Sequence, residues 1–184
     1  MGWFRYMNDS IYLALCAVFR VDPQGSEGLK RFVPAYIQDA TNAQAPRNMN
    51  ICYYAVSELQ DSGFDYIQTE GVLRSEVPMV SIKKTVPVNV VFTFYGDDAD
   101  DDAEFFWEQI QWDSGASSAR SLLRKRRVVP IGKPDRPVSL YETEGTFHRR
   151  RCDVSMRFAY LMITEYEGDY VDNPPDTVFY GQKK

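Results

Sequence analysis

Six carboxylates crowd into residues 97–104: Asp97, Asp98, Asp100, Asp101, Asp102 and Glu104. Such a density of acid is where metal chemistry would be sought first. A divalent cation needs oxygen ligands that converge on one point, and a calcium loop spaces them at alternate positions around a glycine, with a distal glutamate. Asp97-Asp98-Ala99-Asp100-Asp101-Asp102 has neither the alternation nor the glycine. The run reads instead as a solvated loop whose last aspartate caps the following helix, its charges favouring the positive end of that helix. Hydrolysis by paired carboxylates would need two of them set apart from the rest, and nothing in the spacing selects a pair. A metal-dependent enzyme using this cluster is therefore the minor reading, and no catalytic residue, metal or cofactor is expected.

Other routes to chemistry are equally thin. His148 is the only histidine, so a Ser-His-Asp or Cys-His arrangement would have to use it as base. It sits beside Arg149, which disfavours a charged imidazole, and it reads as a surface strand residue. The sequence contains no GxGxxG, Walker-type loop, HExxH or GxSxG. Cys16, Cys52 and Cys152 are far apart and lack CxxC spacing, and the reading is reduced, buried thiols of a cytosolic protein.

Two basic clusters remain, Arg124, Lys125, Arg126 and Arg127, and Arg149–Arg151. Arginine serves phosphate recognition and interface ion pairs alike. Strand alternation would point Arg150 away from Arg149 and Arg151, which weakens a single phosphate patch. The net charge of −5 and the lack of a recognition motif also oppose a nucleic-acid-binding module as the main role. Complementary charge between subunits is the favoured reading, with Asp97, Asp98, Asp100, Asp101, Asp102, Arg124, Arg126, Arg127, Arg149 and Arg151 as candidate lumen or interface residues. Reversing Arg149 or Arg151 to Glu is expected to weaken assembly.

The elements that must position these charges follow from periodicity. Val86, Val88, Val90, Phe92 and Phe94 recur at period two, with Val91 and Tyr95 on the other face, which predicts an interior strand ending at Gly96. Ala103, Phe106, Trp107 and Ile110 then form one stripe of a helix. Upstream, Asn8, Asp9 or Ser10 is expected to cap a helix over 11–19 with Ile11, Leu15, Val18 and Phe19 on one stripe, preceded by an apolar tail that tucks onto the core or a neighbouring subunit. Residues 29–37 read as a short helix or an extended edge, 41–48 as a loop, and 49–59 as an interior strand.

Residues 57–85 read as an extended β-arm or hairpin, with Pro78 at an edge or bulge because it has no N–H to give. A second helix is expected over 117–127, docked by Leu122 and Leu123, then a short strand over 128–131 and a loop over 132–137. Residues 147–166 alternate core-facing Cys152, Val154, Met156, Phe158, Tyr160 and Met162 with charged neighbours, a long antiparallel strand exposed on one side for its first half. Leu161 and Ile163 suggest cover on both faces later. Residues 168–184 read as an irregular tail.

At 184 residues, 44% apolar and 14% aromatic, the chain is expected to form one α+β domain, a mostly antiparallel sheet with helices packed on it. No basic leader segment or apolar run long enough to span a membrane is seen, so no membrane association is expected.

The N-terminal NDSIYLALCAVF, the strand VPVNVVFTFYG running into an acidic-started helix, SSARSLLRKRRVVPIG and the late strand RRRCDVSMRFAYLM together resemble the neck or tail terminator proteins of tailed bacteriophages over about residues 8–166. The resemblance implies a structural virion protein with no catalysis. It implies a homo-oligomer, a hexameric ring in the neck that caps the tail tube protein and joins it to the head connector or adaptor, assembled in the host cytoplasm. DNA would pass through the lumen without specific binding, and an acidic lumen would assist, since phosphate contacts supply most non-specific affinity. Residues 57–85 match the place of a long hairpin in such proteins. The dense acidic run and the long tail depart from the pattern, so another neck or head-completion subunit is the alternative.

Overall fold

The computed structural model describes residues 2–35, 49–59, 67–74, 77–112, 115, 118–144 and 147–167, with backbone alone at 72–74, 77, 78, 144, 147 and 166. The loop expected over 41–48, the tail over 168–184 and part of the 57–85 stretch lie outside them. In chain order the elements are α1 (Trp3–Phe19), α2 (Ser26–Arg31), β1 (Phe32–Pro34), β2 (Ile51–Glu58), β3 (Ile67–Arg74), β4 (Val77–Tyr95), α3 (Ala99–Trp112), α4 (Ala119–Lys125), β5 (Val128–Ile131), β6 (Val138–Glu144) and β7 (Phe147–Glu167).

The seven strands form one mixed sheet in the order β1-β2-β4-β7-β5, with β3 beside β4 and β6 beside β7. Only β1 with β2 is parallel; the other described pairings are antiparallel. The fold class is α+β. Its spine is the β4–β7 ladder, in register from Met79 opposite Glu167 to Tyr95 opposite Arg151.

Period-two alternation fixes which face the helices cover. Val86, Val88, Val90, Phe92 and Phe94 are buried, as are Cys152, Val154, Met156 and Phe158 opposite them and Cys52, Tyr54 and Val56 on β2. Helices α1, α3 and α4 pack here. Phe106 of α3 sits 4.6 Å from Phe92 and 5.9 Å from Phe94 in tilted ring contacts. Phe19 of α1 bridges Phe32, Phe94 and Phe105. Aromatic pairs at such spacings add about 0.5–1.5 kcal/mol each beyond the area they bury. The opposite face carries Tyr53, Ala55, Val91 and Tyr95, which are only half-buried. Among the described residues, strands β2 and β4 are therefore interior by their neighbours in the sheet, not by a layer on each side.

Several boundaries differ from the sequence expectation. Helix α1 begins at Trp3 after Gly2, so Asn8, Asp9 and Ser10 lie inside it. Their type suits a cap because short polar side chains compete with the helix backbone, but here the side chains bond within the helix. Asn8 Nδ2 donates to the Phe4 carbonyl at 2.9 Å, and Ser10 Oγ donates to the Tyr6 carbonyl at 2.7 Å. Ser10 Oγ also accepts from Arg126 Nε at 2.8 Å, a partner 116 residues away. Met7, fully buried, extends the Ile11–Leu15 stripe by one turn. The tail expected to tuck onto the core is thus the first turns of the helix itself.

Residues 29–35 resolve the helix-or-strand ambiguity by being both, the end of α2 and then β1. Helix α4 is shorter than expected, and Ser118 caps it by accepting from the Ser121 N–H at 3.1 Å. Strand β4 starts at Val77, so the expected core strand and the end of the 57–85 stretch are one element. Pro87 sits inside it where the β2 ladder stops at Glu58 opposite Val88, and its carbonyl accepts from the Leu59 N–H at 3.0 Å. In an extended strand a residue's N–H and C=O point to the same side, so the N–H that proline lacks falls where the ladder ends.

Strand β6 has no counterpart in the sequence expectation. Val138, Leu140 and Tyr141 are exposed, so it buries no apolar face that periodicity could reveal. Its ladder to β7 alone defines it.

Candidate functional site

The β4–α3 corner gathers most of the charged residues singled out in the sequence. Strand β4 ends at Tyr95, and Gly96 turns the chain with φ +122°. A Cβ there would strike Asn50 Oδ1 and lie 2.9 Å from Asn50 Cα, so only glycine lets the β2 entry pass this close. Asn50 in turn clasps the helix start: Nδ2 donates to Asp98 Oδ2 at 2.8 Å, and Oδ1 accepts from the Asp98 N–H at 3.4 Å.

Helix α3 begins at Ala99, so Asp100, Asp101 and Asp102 occupy its first turn and do not form a loop before it. There they favour the positive end of the helix dipole. They diverge from one another. Asp100 Oδ1 accepts from Ser139 Oγ of β6 at 2.6 Å, while its Oδ2 pairs with Arg150 Nε at 3.2 Å. Asp102 turns the other way, to Arg31 Nη2 at 2.8 Å. Arg31 also lies over the rings of Phe19 and Phe32, at 4.6 and 5.7 Å. Burial raises the Asp102 pKa above the usual carboxylate value, and Arg31 opposes that shift. Asp97 and Asp101 are exposed, and the Asp97 carbonyl accepts from Arg150 Nη1 at 3.2 Å. Among the described residues, no three His, Cys, Asp or Glu side chains converge as a metal site would require.

The Arg149–Arg151 segment meets this corner across β7. Alternation sends Arg150 to Asp100 and leaves Arg149 and Arg151 on the open face with Tyr95. The Arg149 guanidinium lies 4.4 Å and that of Arg151 5.9 Å from the Tyr95 ring centre. Arg151 forks onto Asp153 at 2.9 and 2.8 Å and approaches Glu142 at 3.8 Å. Its pKa is raised, first by the bond to Asp153. Tyr95 donates to Glu142 at 2.8 Å, and burial followed by that bond pushes its pKa up to about 12. Much of the complementary charge is therefore paired within the chain itself.

The other basic cluster stands apart. The Arg127 carbonyl accepts from the Leu161 N–H at 3.0 Å, ten residues along β7 from Arg151, or about 33 Å of extended strand. Arg126 is a structural tether: besides Ser10 it lies 4.7 Å over the Tyr6 ring, and its carbonyl accepts from Tyr6 Oη at 3.2 Å. Arg124 and Arg127 are exposed. No single anion site joins the two clusters.

His148 is exposed on β7, its Nδ1 3.3 Å from Thr143 Oγ1. All three cysteines are free and buried, and burial raises the pKa of each. Sequence reasoning did not anticipate Arg31, Asn50, Ser139 or Glu142. Each is a single polar residue in a weakly patterned stretch, and its role arises from a partner far along the chain. No protein-family model matches the chain, and no curated protein matches it.

Proposed function

We propose that this protein is a structural subunit of a tailed-phage virion, a tail terminator or neck protein. It would assemble as a homo-oligomeric, hexameric ring that caps the tail tube and joins it to the head connector while DNA passes through. The reading rests on the resemblance in element order together with one observation, the overhang of the sheet beyond its helices. Among the described residues, the buried apolar positions of β4 begin at Val86. Residues 77–85 continue the strand for a further ~30 Å at the usual rise per residue.

This stretch pairs with β3 on one side and β7 on the other, and carries a Lys83–Glu70 ion pair at 2.5 Å. We read β3 with this part of β4 as the hairpin arm. A small ribbon of this kind, with no helix of the described residues over it, is marginal alone and gains stability by docking on another body. The half-buried open face around Tyr53, Val91 and Tyr95, flanked by guanidinium groups, supports assembly in the same way, since tyrosine and arginine are enriched at interfaces. A heterologous contact uses two different patches and closes into a ring when its rotation closes.

The test is native mass spectrometry of the purified chain with particle images. Rings of uniform subunit number support the proposal. A protein that stays monomeric at high micromolar concentration and leaves tail-tube polymerisation unaltered overturns it.

A further inference from the structure

A groove of about 530 Å³ opens at the far end of α3 from the acidic turn, bounded by α3, α4, β5 and β7 and the loop after β5. Four cationic residues line it, Arg120, Lys133, Arg136 and Arg157, and no described lining residue is a carboxylate. Trp112 forms part of the lining and is 75% exposed. Trp107 Nε1, Gln111 Nε2 and Arg120 Nε, all from lining residues, are buried donors without an acceptor among the described residues. Arg120 is already held in position by donating from Nη1 to the Gln111 carbonyl at 2.8 Å.

We propose that this groove is the receptor half of a heterologous contact, and that its occupant is the acidic start of α3 from a second copy of the chain. The inference rests on the self-assembly reading above and names the two patches involved. Charge complementarity selects the occupant: the groove is purely cationic among its lining residues, whereas Asp97, Asp98 and Asp101 are exposed at the other end of the same helix. Asp100 and Asp102 stay with Arg150 and Arg31 inside the subunit and hold the acidic turn in shape. Acid and groove are separated by the length of α3, about 20 Å for fourteen residues. Each copy can therefore give its acidic end to one neighbour and its groove to another, as a heterologous ring contact requires. Carboxylates pair with the cations lining the groove, and Trp112 supplies an apolar ledge of the kind that anchors interfaces.

Charge reversal tests the pairing. Arg136→Glu with Arg157→Glu changes the groove, Asp97→Lys with Asp101→Lys changes the acidic end, and a third protein carries all four. All four positions are exposed, so the folds should survive, which thermal melts will check. Lys133→Glu, also exposed, replaces either groove change that lowers the melting temperature. Native mass and light scattering across a dilution series then read the concentration for half-assembly. Each reversed pair should raise it about tenfold or more, and the fourfold protein should recover most of that loss. Assembly of the reversed proteins at the wild-type concentration overturns this inference alone, as does a fourfold protein no better than the worse pair. A wild-type chain that never assembles overturns the ring reading and this contact with it.

Discussion

Replacing Gly96 by alanine tests the claim that the β4–α3 corner is built on close backbone approach. The residue has φ +122°, a region costing a non-glycine residue on the order of 1–3 kcal/mol. The added Cβ would also meet Asn50, striking Oδ1 and lying 2.9 Å from Cα and 3.0 Å from Cγ. The side chain can swing away only by giving up its two bonds to Asp98, which together are worth about 1–2 kcal/mol at an exposed site. The Cα cannot move freely, because the next residue, Ile51, is buried and registered opposite Tyr95. The expected loss is about 3–5 kcal/mol, or roughly 10 °C in Tm for a chain of this size.

Two other glycines separate the contributions. Gly132 has φ +71° but nothing within 4 Å of an added Cβ, so Gly132→Ala should cost the backbone strain alone, about 1–2 kcal/mol. Gly71 has neither the positive φ nor a neighbour, and Gly71→Ala should stay within about 0.5 kcal/mol of wild type. Urea unfolding with a shared m-value measures all three. A Gly96→Ala loss no larger than that of Gly132→Ala would refute the close-approach argument, and a loss below about 1 kcal/mol would refute the strain argument as well.

Phe106→Ala, which removes the ring between Phe92 and Phe94, should destabilise by about 3–5 kcal/mol in the same unfolding assay. Ser10→Ala should cost about 1–2 kcal/mol, because it strips the acceptor from half-buried Arg126; Arg126→Met in the Ser10→Ala background should then cost less than it does alone, and equal costs would deny the coupling. Cys152 is 1% exposed, and burial pushes its thiol from 9.0 up to about 11. The folded state thus holds the proton more tightly than the unfolded one. This contribution is complete below pH 9 and falls by up to about 1.4 kcal/mol per pH unit as the pH rises from 9 towards 11. Cys152→Ala should flatten that part of the stability–pH curve, and an unchanged slope would contradict the assignment.

Side-chain periodicity by itself determined the core part of β4 from Val86, the long strand β7 with Cys152, Val154, Met156 and Phe158 turned to the core, the apolar stripe of α3 and the short strand after α4, while Met162, expected on the core face, is only half-buried beyond the helices. These patterns are local: a residue's neighbours at two, three or four positions already state which face must leave water. Tertiary structure decided what depends on partners far along the chain. Helix α1 runs through Asn8 and Ser10 because carbonyls of the preceding turn accept from their side chains and Arg126 Nε donates to Ser10 Oγ. Strand β6 exists because β7 offers it an edge, although its apolar side chains Val138, Leu140 and Tyr141 remain exposed. The acidic run was visible as a cluster, but only folding sends Asp100 to Arg150 and Asp102 to Arg31 and leaves Asp97 and Asp101 exposed. Helix geometry explains that divergence. Successive residues on a helix differ by about 100° in direction, so aspartates adjacent in the chain face different neighbours once the helix docks on the sheet. The cationic groove at the other end of α3 comes from four separate segments, and no local pattern in any one of them encodes it.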